Sequence, residues 1–353
     1  MIDHITLHTA MGTVQIGKGY PTHLIAEIGL NHNGSVELAE EMIRSAALSG
    51  ATFVKFQKRH PESLATATFL DAPFPKCPAL GSTQREVRER LELTLDEYRH
   101  LRDLATSLGL IFFASAFDIP SLEFLMQVEV PVIKIASHSI TNGPLLKAVA
   151  GLGIPVIASF GGTTEEDRDK AINILSGNPL VILHCVSSYP TPDHLALIDT
   201  IGYLRERYQL PVGFSSHENG IDISVAAALL GAVVIERHYT LDRSMIGLDQ
   251  AISLEPNEFG EMAQKIRRLE KTRGISQGLQ EGETAAKYSY HVGIYARKQI
   301  KEGTMISEDD IEFKQPLVSS DIYFTGLEME DVVGKRTSRT VEAQTLIPRE
   351  VVS

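Results

Sequence analysis

Two histidines and two lysines have the types and positions to share one catalytic cavity. His217 and His238 lie near the ends of neighbouring apolar runs, and Lys55 and Lys134 lie inside two others. Two neutral imidazoles with an open position suit a divalent transition metal. Two ammonium groups aimed at one cavity repel, so burying both is costly unless an anion lies between them. The four residues therefore predict a divalent metal beside a doubly charged anion, such as a phosphate ester that also carries a carboxylate.

A carboxylate, Glu27, belongs to the same set. It follows apolar residues in HLIAEIGLNHNGS, where a buried carboxylate is tolerated only when a group pairs with it. Two lysines and a metal would provide that pairing and leave Glu27 open to general acid/base work. Asp249, in GLDQ, could add a metal ligand, whereas His184 points the other way in its run and is predicted to be structural. Hydroxyl and amide donors are predicted around the same rim at Gln57, Ser115, Ser137, Ser159, Ser187 and Ser215.

Each of these assignments has a simpler alternative. A lone histidine is often a core residue bonded to the backbone, and a lysine can extend its ammonium group to water. Nearly every apolar run ends in a polar residue. A single shared rim explains all of these polar residues, which makes the simpler alternatives less favoured.

The elements that must position these residues alternate short β-rich runs with helix-patterned segments, which is typical of parallel βα units. One helix is predicted from its N-cap Ser35 to Gly50, and another from Thr164 to Gly177. Eight units over roughly 250 residues predict a TIM (β/α)8 barrel, with catalytic groups at the C-terminal strand ends. A doubly wound open sheet is the alternative, although it would not need eight repeats. The strands are predicted at HLIAEIG (23–29), TFVKFQ (52–57), IFFASAF (111–117), PVIKIAS (131–137), PVIASFG (155–161), LVILHCVSSYP (180–190), PVGFSSHE (211–218) and VVIERHYT (233–240).

The remaining segments predict the domain organisation. A β-hairpin cap is expected at 1–20, the barrel at 21–277, a linker at 278–290, and a small β-rich domain at 291–353. A domain of roughly 60 residues is marginal alone, so it is expected to dock against a barrel. The stretch 58–95 has no clear period until STQREVRERLEL, and a loop this long in a compact domain is usually functional.

Composition limits the class of protein. The 353 residues are 43% hydrophobic, and their net charge of −12 argues against a nucleic-acid surface. No apolar run approaches the roughly 18 residues of a membrane span, and the start lacks the features of a signal peptide, so we expect a cytoplasmic protein without membrane partners. The two cysteines, Cys77 and Cys185, provide neither a disulfide framework nor a zinc cluster and are expected to be reduced.

Seven motifs occur in an order that resembles the sialic acid synthase family. They are IAEIGLNHNGS, VKFQ, ASAF, KIAS, HCVSSYPTP, GFSSHE and ERHYTLDRSMIGLDQAISLEP. These enzymes condense phosphoenolpyruvate (PEP) with an N-acylated hexosamine to make nine-carbon 2-keto sugar acids. The C-terminal VGIYARKQIKEGTMISEDDIEFKQP resembles that family's antifreeze-like (SAF) domain, which in many members reaches over the barrel of a second subunit and so implies a domain-swapped homodimer.

The resemblance also implies roles for individual residues. His217 and His238 would hold Mn²⁺ or Mg²⁺, and Glu27 would transfer a proton or orient the reacting carbons. The positions implied to bind PEP are Lys55, Ser115, Lys134, Ser137, Ser159, Ser187 and Ser215. Those implied to line the sugar side are Gln57, Tyr189 and Asp249, together with Gln315 from the SAF domain.

One position departs from the family pattern. Many members have an arginine in a K-R-P stretch that contacts the N-acyl group, whereas this chain reads FKQP with Gln315 at that place. Glutamine keeps a donor but lacks the charge and the fork of arginine. The departure favours a different acceptor sugar or a contact from Lys314. The TLDRSMIGLDQAISLEP stretch is more similar to members that use 6-phosphorylated sugars or make pseudaminic and legionaminic acids than to those that use free N-acetylmannosamine.

Three other classes of protein stay open at this stage. A Schiff-base aldolase also needs a buried lysine in a barrel, but normally one with a depressed pKa and no metal pair. A metallohydrolase predicts an H-x-H pair on the first strand, where this chain has Asn31 and Asn33 around His32. A non-catalytic protein that binds sugars or anions could keep the same barrel.

Overall fold

The first two strands of the chain form an antiparallel hairpin in the computed structural model, which describes residues 2–353. They are β1 (His4–Thr9) and β2 (Gly12–Gly17). Leu7 and Ile16 are fully buried and belong to the same apolar core as the barrel. The hairpin expected near the start of the chain is therefore present, and its apolar face is covered.

Eight parallel strands then close into a barrel, in which each strand pairs with the next along the chain and the last pairs with the first. Nearly all their residues are buried, because helices cover the outer face and side chains fill the interior. The predicted TIM barrel is confirmed. The strands are β3 (His23–Gly29), β4 (Phe53–Lys58), β5 (Ile111–Ala116), β6 (Ile133–Ile135), β7 (Val156–Ser159), β8 (Leu180–Cys185), β9 (Val212–Ser216) and β10 (Val234–His238).

Helices connect the strands, and polar residues begin them. The side chains of Ser35 and Thr164 accept backbone N–H groups of the first helical turn, as predicted. Their helices end at Leu48 and Leu175, each two residues before the glycine expected to stop it. The helices up to Arg273 are α1 (Val36–Leu48), α2 (Pro61–Leu64), α3 (Ala67–Leu70), α4 (Gln84–Arg90), α5 (Leu95–Ser107), α6 (Ile119–Val128), α7 (Gly143–Ala150), α8 (Glu165–Leu175), α9 (Thr200–Tyr208), α10 (Asp222–Leu229) and α11 (Pro256–Glu270).

Several strands end before the runs that predicted them. β8 ends at Cys185, five residues before Pro190, and β6 has only three residues. Proline lacks the N–H that a ladder requires, so an apolar run that reaches it need not be strand throughout. Ser137 and Ser187 consequently follow their strands instead of lying within the sheet, with Ser137 at the start of a short 3-10 helix and Ser187 on a loop.

The segment 58–95 is a folded excursion and not an irregular loop. It contains α2, α3 and α4, and its apolar side chains form a small separate core. Cys77 and Val87 are buried in that core together with Leu30, which follows β3. The excursion therefore builds a wall beside the C-terminal ends of β3 and β4.

The chain divides into two compact units, Met1–Arg273 and Gly274–Ser353. The second unit contains α12 (Glu283–Tyr290) and the antiparallel pair β11 (Gly293–Ala296) and β12 (Ile311–Lys314). Its own core includes Ile294, Ile300 and Ile347. Residues 283–290 of the stretch expected to be a linker thus form a helix. Within residues 2–353, no helix combines the length and the apolar character needed to cross a membrane.

Candidate active site

A cavity of about 480 Å³ lies at the C-terminal ends of the barrel strands. It is lined by every site residue predicted for the first unit. They are Glu27, Lys55, Gln57, Ser115, Lys134, Ser137, Ser159, Ser187, Tyr189, Ser215, His217, His238 and Asp249. The remaining predicted residue, Gln315, belongs to the second unit, where its side-chain amide donates to the carbonyl oxygen of Tyr290.

Carboxylates hold both lysines of the cavity. Lys55 Nζ lies 2.8 Å from Glu27 Oε2 and 3.5 Å from Glu236 Oε1. Lys134 Nζ lies 3.8 Å from the same Glu236 oxygen, and all four side chains are nearly inaccessible to solvent. The expectation that the lysines need a bound anion to share a buried cavity is therefore wrong, because Glu236 already lies between them.

The sequence analysis assigned no role to Glu236. A usable signal was present, because Glu236 precedes His238 by two residues and side chains of the same parity face the same side of a strand. Ser215 on the neighbouring strand donates to Glu236 Oε1 at 3.0 Å, which fixes the carboxylate. Glu236 is thus the centre of the charged network at the base of the cavity.

The network sets the protonation of its members. Burial alone would raise the pKa of the Glu236 carboxyl, but the charges of Lys134 and Lys55 outweigh it and lower the pKa to about 2. Burial also opposes the charge of Lys55, yet Glu236 and Glu27 raise the pKa of its ammonium group. Burial dominates at Lys134 and lowers its pKa, despite the pull of Glu236. Lys55 is therefore the firmly charged lysine, and Lys134 is the one that releases a proton more readily.

Lys134 also has close neutral partners. Its Nζ donates to Ser159 Oγ at 2.5 Å and to the carbonyl oxygen of Ile135 at 3.3 Å. Lys55 Nζ donates to Ser115 Oγ at 3.2 Å. These hydroxyls orient both ammonium groups on the cavity floor, where they face a shared volume.

A chain of hydrogen bonds connects the floor to the upper wall. Gln57 Nε2 donates to Glu27 Oε1 at 2.6 Å, and Arg59 Nη2 donates to Gln57 Oε1 at 2.5 Å. The Arg59 guanidinium lies over the ring of Phe117, 3.9 Å from its centroid. Sequence reasoning missed Arg59, although a cation directly after β4 in VKFQKR is a signal for a rim residue. Gln57 is held at both ends and so fixes the position of the Glu27 carboxylate.

His217, which follows β9, and His238, which ends β10 beside Glu27, face each other. Their ring centroids lie 5.5 Å apart, and the ring of Tyr189 lies 4.0 Å from that of His217. His217 Nδ1 donates to the carbonyl oxygen of Val186 at 3.0 Å, which leaves Nε2 with its lone pair. Burial and the neighbouring His238 lower the pKa of His217 to about 3, so its ring is neutral near pH 7.

These residues fit a divalent metal held by two protein ligands. His238 Nδ1 is buried and has no hydrogen-bond partner among residues 2–353, as expected for a nitrogen reserved for a ligand. Asp249 lines the same cavity, but the described residues contain no group of three His, Cys, Asp or Glu that could hold an ion. The role of Asp249 as an added metal ligand therefore stays a prediction.

A buried ion pair behind the strands holds the histidine-bearing segments. Arg237 Nη1 lies 2.9 Å from Glu218 Oε1, and Arg237 Nη2 donates to the Glu218 carbonyl oxygen at 2.7 Å. Glu218 follows His217 directly, and Arg237 directly precedes His238. The pair therefore couples the ends of β9 and β10 and sets the spacing of the two imidazoles.

The serines gather around a glycine. The Gly161 amide donates to Ser137 Oγ at 2.8 Å. A Cβ atom at position 161 would lie 2.9 Å from the same oxygen, and closer still to Ser187 Oγ, so a larger residue does not fit. His184 points away from the cavity and bonds to the carbonyl oxygen of Ala196 at 2.7 Å, which agrees with its predicted structural role.

The chain matches two known families along most of its length. Residues 42–277 match the NeuB family, and residues 291–350 match the SAF domain. The chain is 35% identical to the N-acetylneuraminate-9-phosphate synthase of Homo sapiens, over 96% of this chain and 94% of that protein. It is 33% identical to the N,N'-diacetyllegionaminic acid synthase of Campylobacter jejuni, over 92% of this chain and 98% of that protein.

A solved structure supports the same relationship. The N-acetylneuraminic acid (sialic acid) synthetase of Leptospira borgpetersenii, determined in complex with citrate, is 34% identical, with a TM-score of 0.70 over 80% of this chain and 94% of that one. The resemblance to sialic acid synthases and the SAF assignment of the C-terminal β region are thereby confirmed. This chain belongs to the NeuB family.

Proposed function

We propose that this chain condenses PEP with an N-acylated hexosamine, or with its 6-phosphate, to release phosphate and form a nine-carbon 2-keto sugar acid. The observation that carries the proposal is one cavity lined by two buried lysines, a buried glutamate and two facing histidines. The relatives named above are synthases of sialic and legionaminic acids, which supports the same reaction class. A NeuB enzyme is generally metal-dependent, so we include Mn²⁺ or Mg²⁺ as its cofactor.

PEP is assigned to the floor of the cavity. Lys55 and Lys134 present ammonium N–H donors to the anionic groups of PEP beside Glu27 and Glu236, and Ser115 and Ser159 add hydroxyl donors. Ser137 and Ser187 pack against Gly161, whose missing Cβ leaves room for their hydroxyls, and these hydroxyls are assigned to donate to an oxygen of the phosphate or carboxylate. The floor thus combines full charges with a tight cradle, as a small dianionic substrate requires.

The acceptor is assigned to the upper part of the cavity, with its aldehyde toward the histidines. A divalent cation bound at His217 and His238 would supply Lewis acidity for the acceptor carbonyl. Tyr189, Gln57 and Asp249 line the same side. The C3 carbon of PEP forms the new bond to the aldehyde carbon, and the carbonyl oxygen takes up a proton to become a hydroxyl.

Glu27 is assigned to proton transfer at the PEP carbons. Water adds at C2, its proton passes to a base, and phosphate leaves by cleavage of the C2–O bond, which yields the keto group. Glu27 Oε1 is oriented by Gln57 and Oε2 by Lys55, so the carboxylate is held in place for this transfer. The Lys55 ammonium group also stabilises the charge that Glu27 carries between steps.

A Schiff-base aldolase is the second candidate, because burial lowers the pKa of Lys134. Borohydride reduction in the presence of pyruvate separates the two. A covalent lysine adduct detected by mass spectrometry would refute PEP condensation, whereas unmodified Lys134 together with PEP consumption would support it.

The proposal is tested by incubating the protein with Mn²⁺, PEP and a panel of free and phosphorylated hexosamines. We expect phosphate release and a nine-carbon keto acid with at least one acceptor, and loss of both in Lys55→Ala and His238→Ala. Lys170→Ala, an exposed lysine on α8, is the matched control and should keep full activity. Activity that survives in both site variants would refute the assigned roles. We further propose the domain-swapped homodimer that the family resemblance implies, which the mass of the protein in solution tests.

A further inference from the structure

A second cavity, of about 270 Å³, shares a wall residue with the catalytic cavity. Arg59 lines both, so the two volumes meet at its side chain. The second cavity lies against α3 and α4 of the excursion between β4 and α5. Its walls are mostly apolar, with Leu30, Phe74 and Leu248 among them, yet two guanidinium groups also line it.

Arg59 has donor capacity that the chain leaves unused. Nη2 is taken by Gln57, but Nη1 is enclosed and has no hydrogen-bond partner within residues 2–353. A guanidinium carries five N–H donors, and an unpaired buried donor is costly. The enclosed Nη1 therefore indicates an acceptor that comes from outside the chain.

Arg88, on α4, brings a second positive charge to the same cavity. Its guanidinium lies 5.2 Å from the centroid of the Phe69 ring, and burial lowers its pKa. The positive charges of Arg59 and Arg88 also act on His138 in the catalytic cavity, where they and burial lower the pKa of its ring. Two guanidinium groups that repel each other thus border one small volume.

The carboxylates near these arginines do not neutralise them. Glu92 lines the second cavity, but its Oε2 lies 2.8 Å from Lys58 Nζ and its Oε1 accepts the backbone N–H of Arg59. Asp249 acts on the charge of Arg59 from the catalytic cavity without a side-chain hydrogen bond to it. The second cavity therefore keeps a positive charge inside largely apolar walls.

We propose that this second cavity is an anion site, formed by Arg59 and Arg88, that binds the phosphate group of a phosphorylated acceptor. The inference rests on the proposed function for the identity of the acceptor. Gln57 bridges Arg59 Nη2 and Glu27 Oε1, so these atoms are less than about 8 Å apart. The aldehyde carbon and C6 of an extended hexose are five bonds apart, about 6 Å. A 6-phosphate can therefore reach the arginines while the aldehyde lies near the reacting carbons.

The test compares phosphorylated and free acceptors in matched variants. The quantity is the ratio of kcat/KM for N-acetylmannosamine 6-phosphate to that for N-acetylmannosamine, at saturating PEP. We expect the wild type to favour the phosphorylated sugar, and Arg59→Met and Arg88→Met each to lower the ratio at least 20-fold. Arg85→Met is the control, because Arg85 lies on α4 with Arg88 but forms ion pairs with Asp71 and Glu62. It should leave the ratio within threefold.

Two further measurements test the anion site: the ratio in Arg59→Lys, and direct binding of the sugar phosphate. Lysine retains the charge without the fork, so its ratio should lie between those of the wild type and Arg59→Met. Calorimetric titration of Mn²⁺-loaded protein with the sugar phosphate should give at least 20-fold weaker binding in both methionine variants. An unchanged ratio in variants with wild-type melting temperature would overturn the anion site. If the methionine variants weaken the binding of inorganic phosphate but not that of the sugar phosphate, the assignment of the site to the acceptor would be overturned.

The two proposals fail in different ways. If no hexosamine is condensed but the titrations show the expected loss, the proposed reaction is refuted and the anion site stands. If condensation occurs and neither the ratio nor the titrations respond to Arg59 and Arg88, the anion site alone is refuted.

Discussion

Replacing Glu236 by glutamine removes the carboxylate that Lys55 and Lys134 share at the base of the cavity. The substitution keeps the size of the side chain and the hydrogen bond that it accepts from Ser215. It leaves Lys134, whose Nζ lies 3.8 Å from Glu236, without a carboxylate partner, and Lys55 with Glu27 alone. We therefore expect Glu236→Gln to destabilise the barrel, because it leaves a buried ammonium group without a balancing charge.

The pKa of Glu236 sets the magnitude. A pKa lowered from 4.5 to about 2 corresponds to ~3 kcal/mol at ~1.4 kcal/mol per pH unit. A loss of ~3 kcal/mol lowers the Tm of a barrel of this size by about 6–12 °C. Because the folded-state pKa lies below the unfolded one, this stabilisation is complete above about pH 5 and declines as the pH falls toward 2.

Calorimetry of the wild type, Glu236→Gln and Glu236→Gln/Lys134→Met at pH 7 measures the effect. Removing the second charge should restore part of the lost stability, since the double variant no longer buries an unpaired ammonium group. Glu166→Gln is the control, because Glu166 lies 2.6 Å from Lys170 in an exposed pair that solvent screens. A Tm within 2 °C of wild type for Glu236→Gln, or an equal fall in the control, would refute the reasoning.

Three further predictions concern the histidine pair, the glycine beside the serines and the two cysteines. Arg237→Met breaks the pair with Glu218 behind the histidines, so Mn²⁺ affinity measured by electron paramagnetic resonance should fall about 10–100-fold; unchanged affinity in folded protein would contradict this positioning role. Gly161→Ala crowds the serine hydroxyls at a cost of about 1–3 kcal/mol, so KM for PEP should rise about tenfold in steady-state assays, and an unchanged KM would count against the cradle. Cys77 and Cys185 are buried, and burial raises the pKa of the Cys185 thiol, so neither should react with a disulfide reagent at pH 8 until the protein is denatured; rapid labelling of the native protein would contradict the buried placement.

The sequence predicts the barrel well because the relevant signals are local. Apolar runs bounded by Gly and Pro mark the eight strands, and strand parity selects which side chains face inward, as with Glu27, Lys55 and Lys134. Glu236 illustrates what is not local. Its position between the two lysines depends on how far each strand is staggered across the closed barrel, and only the paired registers of the strands determine that depth.

The excursion and the second unit illustrate a different limit. α4 is short and lies in a segment rich in turns, so its tertiary contacts stabilise it more than its own periodicity does. α12 has no buried residue, which explains why 283–290 lacks a helical apolar stripe. The role of Arg59 could not be predicted from the sequence, because it depends on a cavity that the excursion forms beside this residue.

The fate of the bridging oxygen of PEP shows whether the protein condenses PEP with cleavage of the C2–O bond. The protein is incubated with Mn²⁺, the preferred hexosamine and PEP that carries ¹⁸O between C2 and phosphorus, and the products are analysed by mass spectrometry. Condensation with cleavage of the C2–O bond gives a nine-carbon keto acid without the label and inorganic phosphate that contains it. Phosphate without the label, or PEP that disappears without a new nine-carbon acid, would contradict it.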